Sequence, residues 1–211
     1  MTQDILEFKM ETGDVNSREM GTGARAHGGK ARWELMPLLQ VAFILESESE
    51  IVARLSDISE AEMIRTLGFF QAGKIDIDEL LIDAVAYNWS IQGNIGAGPS
   101  ILNLMTSLEN VIRVWDYGLR KYSEFNWATG MDWSIPIACA VRHVRDHFNA
   151  FDQDSESMHY DAESKELHSA HVVCNVMMLA HYVIYWTAGD DRPLFAFPKT
   201  SEGSEATESP E

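Results

Sequence analysis

Apolar residues recur along this chain at intervals of three and four, the period of helices that bury one face. Trp33 to Leu45 is one such stretch, with Pro37 in its first turns, where a missing N–H costs little. Ser59 precedes Glu62 by three residues, and Asp76 precedes Glu79 likewise. These capping pairs predict two short helices, carrying Met63, Ile64 and Leu67 and then Leu80, Leu81, Ala84 and Val85. GNIGAGPS (93–100) predicts a loop, and Leu104, Leu108, Val111, Trp115 and Leu119 then trace the longest core helix, to Tyr122. Ser134 precedes a helix with Pro136 near its start that passes Val141, Val144 and Phe148. A polar loop from Asp152 to about Glu163 leads to a last helix through Trp186, which Gly189 and Pro193 stop. No alternating strand pattern is present, so the expected class is all-α, a single compact domain of about six helices.

Composition sets the borders. Residues 1–22 read as a flexible leader, which GTGARAHGG closes onto a domain spanning 23–199, and the Glu/Ser-rich stretch 200–211 is expected to be a disordered acidic tail. Net charge is −17; leader and tail carry much of it, leaving 24 acids against 14 bases for residues 22–200. Such a surface disfavours nucleic acid as a partner, because that affinity rests on basic side chains displacing counterions. No apolar run is long enough to span a bilayer, no basic, apolar signal peptide opens the chain, and Cys139 and Cys174 lie in helical patterns. A reducing cytoplasm is the expected compartment, and a homo-oligomer is possible.

Chemistry concentrates in three places. Between Arg142 and His171 stand five of the seven histidines. His143 and His147 share one helical face, and His168, His171 and Asn175 share another; antiparallel packing can turn the stripes toward each other, with Asp154 and Glu156 in the loop able to close over them. Imidazoles favour zinc or another transition metal and carboxylates favour magnesium or manganese, and the sequence holds both. Buried, hydrogen-bonded histidines beside a solvated acidic loop are the alternative. The second place is WDYGLRKYSEFNWATGMDW (115–133), where aromatic faces can stack a base while Arg120 and Lys121 take phosphates. The third is acidic: ESESE (46–50), and Asp76, Glu79 and Asp83, whose spacing a solvated face with a capping pair explains. No His-Asp dipeptide, HExxH, CxxC pair, Walker A loop, GxSxG elbow or ExxE…ExxD magnesium pattern occurs.

Taken in order, GARAHGGKARWELMP (23–37), YGLRKYSEFNW (117–127), MDWS (131–134), RHVRDHF (142–148), FDQDSES (151–157), LHSAHVVCN (167–175) and GDDRP (189–193) resemble a phage family. It is the N-terminal-domain type of dATP/dGTP diphosphohydrolase, also called MazZ. The resemblance covers about 23–45 and 111–193 and leaves 46–110 as an expected insertion, with partner docking or dimerisation as one reading of it. It implies an enzyme: a metal-dependent pyrophosphohydrolase that converts purine deoxynucleoside triphosphates to monophosphate and pyrophosphate with Mg²⁺ or Mn²⁺, zinc not excluded, in control of phage nucleotide pools. On that reading Lys30, Arg32, Lys121, Tyr122, Asn126, Trp127, Arg142, Asn175 and Arg192 bind substrate. His143, Glu156 and His171 are catalytic, and Glu34, Asp154, Glu156, His168 and His171 hold metal. His147 and His159 fall outside the family pattern and read as decoration. The alternative is a non-catalytic nucleotide-binding or protein-interaction domain using the same groove.

Overall fold

The computed structural model describes residues 31–92, 100–152 and 159–193. Leader, tail, Lys30, Asp154 and Glu156 lie outside them. Seven α-helices are described: α1 (Leu38–Glu46), α2 (Glu48–Arg54), α3 (Glu60–Gln71), α4 (Ile77–Ile91), α5 (Ile101–Lys121), α6 (Ser134–Asp152) and α7 (His168–Tyr185). Three-residue and four-residue 3-10 turns stand at Trp33–Leu35, Asn126–Thr129 and Thr187–Gly189. Among the described residues no strand forms beyond an isolated antiparallel bridge between Tyr160 and Leu167. The all-α class is borne out.

Two local differences from the pattern have simple causes. The helix expected from Trp33 starts only at Leu38, because Met36, preceding Pro37, is pushed into extended backbone (φ −89°, ψ 155°). The seventh helix, α2, uses ESESE as its first turn, where Glu48 and Glu50 meet the positive end of the helix dipole. Both capping pairs form: the Glu62 N–H donates to Ser59 Oγ at 3.2 Å and the Glu79 N–H to Asp76 Oδ1 at 2.9 Å. Asp83 is buried rather than solvated, accepting from the Thr66 hydroxyl at 2.8 Å and pairing with Arg54 at 3.7 Å.

α4 and α7 form the centre. Every residue from Leu80 to Trp89 on α4, and from His168 to Met177 on α7, is buried, as befits helices surrounded on all sides. α6 packs along α7, and α3 bridges α4 and α6. Inside this core Asn88 donates to the Ser107 hydroxyl at 3.0 Å and accepts from Ser169 at 2.8 Å, tying α4, α5 and α7. The apolar faces of 46–110 thus pack within this chain's own core.

The two ends of the C-terminal half are latched together. Trp186 packs against Gly130 and Gly189; a Cβ on Gly130 would stand 2.5 Å from the indole, and its φ of +89° with ψ of 154° is a conformation glycine alone adopts readily. Asp191 accepts from the Ser134 N–H at 2.8 Å and so caps α6. Strain and overlap together make Gly130→Ala destabilising by about 2 to 4 kcal/mol, to be read from urea unfolding.

Candidate functional site

α6 and α7 run side by side and bring the two histidine stripes face to face. His143 and His168 approach Nδ1 to Nδ1 at 2.9 Å. His171 stacks on His143 with ring centroids 4.3 Å apart and offers Nε2 to the Ser164 hydroxyl at 2.8 Å. One ligand atom from each of His143, Asp161 and His168 lies within 4.8 Å of the others.

Asp161 is held by a tight turn. Its backbone carbonyl takes the Lys165 N–H, with Lys165 at φ +65°, while its Oδ1 accepts from the N–H groups of Glu163 (3.1 Å) and Ser164 (2.8 Å). Burial pushes the Asp161 carboxyl up, but the bonds from Ser164, the nearby His171 and the Glu163 N–H outweigh it and hold the group below its usual range. The opposite applies to the imidazoles. Burial, reinforced by His171 and His168, pushes His143 down to about 3, and burial takes His171 down to about 4. His143 and His171 are therefore uncharged at pH 7, while Asp161 is ionised.

A second histidine pair continues this line. His147 is buried, with Nδ1 3.2 Å from Nδ1 of His159 and Nε2 3.7 Å from Glu60, and its ring meets the Tyr87 ring edge-on. The reading of His147 as decoration is thereby corrected: it is a core residue, which burial, followed by His159 and His168, pushes down to about 4. Histidines neutral in the fold and protonated near 6.5 when unfolded contribute stability that is full above that pH and lost as pH falls toward 4 and below. In EDTA, the unfolding free energy is expected to fall between about pH 6 and 4 by up to about 1.4 kcal/mol per pH unit for each such histidine, with the melting temperature falling in step.

Beside the cluster opens a cavity of about 570 Å³, within the range of small-molecule sites. Its wall includes Trp115, Tyr117, Gly118, Lys121, Tyr122, Phe125, Asn126 and Trp127 from the aromatic stretch, and Arg142, His143, His171 and Asn175 from the facing helices. Trp127 is fixed by Trp115 and His181, each with ring centroids 4.9 Å away, and its carbonyl accepts from Tyr182 at 2.7 Å. Tyr122 and Phe125 are exposed, and Asn175 donates back to the His171 carbonyl at 2.7 Å. Lys121 contacts Glu163 at 2.6 Å, and Arg142 reaches Cys139 Sγ at 2.8 Å. A smaller cavity of about 490 Å³, lined by Asp146, Asn149, Tyr160, Lys165 and His168, meets the first at Asp161.

Some expected site residues are engaged elsewhere. Arg32 holds Glu34 and Glu124, each at 2.8 Å, so Glu34 stands in an ion pair. Arg192 lies between Phe70 and Trp133, 4.6 and 4.8 Å from their rings, bound to Asp190 and the Phe70 carbonyl. It belongs to the latch. Asp161, Glu163 and Ser164 were missed, although the sequence carried a signal: D-x-E-S occurs twice, at 154–157 and again at 161–164. The turn sets the second copy against the histidines, and the first lies outside the described residues.

Fold and site define an all-α domain whose paired helices bring imidazoles and a carboxylate to the wall of an aromatic-lined cavity. Residues 95–192, a little under half of the chain, match the family model described as dATP/dGTP diphosphohydrolase, N-terminal. No curated protein and no solved structure matches the chain. No helix among the described residues is long and apolar enough to cross a membrane.

Proposed function

We propose that the protein hydrolyses purine deoxynucleoside triphosphates, dATP or dGTP, to the monophosphate and pyrophosphate in a metal-dependent reaction, serving control of phage nucleotide pools. One observation carries the reading. Lys121, Tyr122, Asn126, Trp127, Arg142, His143, His171 and Asn175, scattered over more than fifty positions, line a single cavity within the segment that matches the family.

The electrostatics favour a metal. Lys121 and Arg142 face Glu124, Asp161 and Glu163 in the cavity wall, so acids outnumber bases there and a bare triphosphate is repelled. A divalent ion, when bound, offsets that repulsion and acidifies the attacking water. The chain's own groups do the rest. Tyr122 and Phe125 offer exposed faces for a base, Asn126 can bond its edge, and Arg142 takes phosphate oxygens. Lys121 joins it by exchanging Glu163 for phosphate. His171, uncharged at pH 7, accepts the proton of the water that attacks the α-phosphorus, and pyrophosphate leaves.

Incubation with dGTP or dATP and Mn²⁺ or Mg²⁺ tests this by product analysis. Monophosphate and pyrophosphate in equal amounts are expected. Tight nucleotide binding without turnover, unaffected by EDTA, would instead establish a non-catalytic nucleotide-binding domain.

A further inference from the structure

We infer that His143, Asp161 and His168 form a site for a divalent first-row transition metal, of the Mn²⁺, Fe²⁺, Co²⁺ and Zn²⁺ class, in preference to Mg²⁺. The inference deepens the function proposed above by naming the ion and its ligands, and it stands on the donor set.

Two imidazole nitrogens and one carboxylate oxygen are gathered within 4.8 Å, a composition that suits borderline transition ions. Mg²⁺ wants oxygen ligands in a near-ideal octahedron, and this cluster supplies one such residue. The spacing agrees as well. Adjacent ligands of an octahedral ion at about 2.1 Å stand about 3 Å apart, and the two Nδ1 atoms are at 2.9 Å. Both rings must present a bare Nδ1, with their protons on Nε2, a tautomer that requires no charged form.

The surroundings hold the ligands in place. Asp161 Oδ1 accepts the two N–H groups of its own turn, which fixes the carboxylate so that Oδ2 is the oxygen offered for coordination. His143 is backed by the parallel ring of His171, itself tied to Ser164, and His168 is buried at the start of α7. Such outer contacts orient ligands before the ion arrives. The cluster sits where the two cavities meet at Asp161, so a bound ion keeps positions open toward a phosphate. Glu34, committed to Arg32, is not among the ligands.

Titration of the full, EDTA-treated and exchanged chain with Co²⁺, read by visible absorption and calorimetry, tests the site without reference to activity. One Co²⁺ per chain is expected, displaced by Zn²⁺ but not by roughly hundredfold excess Mg²⁺. Asp161→Asn, which keeps the acceptor for the turn, should weaken binding at least tenfold or so with little change in melting temperature. His168→Ala should do the same, and its melting curve separates lost folding from lost coordination. Absent Co²⁺ binding, binding undiminished in Asp161→Asn, or displacement by Mg²⁺ would overturn the site. Metal bound without turnover would sink the hydrolase reading alone, and turnover with Mg²⁺ in a chain that takes no Co²⁺ would sink the metal site alone.

Discussion

Asp161→Asn is expected to lower kcat for dGTP by roughly 100-fold or more while the protein stays folded. The carboxylate does two jobs with different oxygens. Oδ1 accepts two backbone N–H groups that shape the 161–165 turn, and an amide oxygen can replace it there. Oδ2 supplies the negative charge of the donor set, and an amide cannot. His143→Ala should cost a similar factor, because it removes the ring that stacks on His171 and meets His168. Steady-state kinetics with matched thermal melts check both. A kcat in Asp161→Asn within a few-fold of wild type would remove this cluster from the reaction.

The largest effect on stability is expected at Trp89, which lies outside the segment matching the family. Its side chain is fully buried on α4, against the helix that carries the histidines. Trp89→Ala should cost about 3 to 5 kcal/mol, a large part of the stability of a domain this size. Urea unfolding reads it directly. If 46–110 were an independent module, unfolding would separate into two transitions, and the α6–α7 half would be untouched. With α4 packed against α7, one cooperative transition shifts as a whole.

Much of the fold was legible because it rests on local chemistry. The capping serine and aspartate, the spacing from Leu104 to Leu119 and the histidine stripes each need only a window of a few residues. The facing of α6 and α7 followed from two histidine stripes on helices joined by one polar loop. What could not be read depends on distant partners. Arg192 is chemically a plausible phosphate ligand, and nothing near it in sequence shows that Phe70 and Trp133 enclose it. Glu34 pairs with Arg32 two residues earlier, a contact that its expected metal-binding role did not foresee. His147 was discounted because it fell outside the family pattern, yet its place one turn after His143 puts it against Tyr87. That the second D-x-E-S copy joins the cluster required the turn itself, in which the backbone around Lys165, at φ +65°, folds Asp161 toward the histidines.

The account turns on where a nucleotide and its metal sit relative to these residues. A crystal soaked with a nonhydrolysable dGTP analogue and Mn²⁺, recorded at the manganese edge, answers both parts in one measurement. The predicted result is an anomalous peak bounded by His143, Asp161 and His168, with the phosphates between it and Arg142 and the base against Tyr122 and Phe125. Manganese away from these ligands, or a nucleotide outside the cavity, would contradict it.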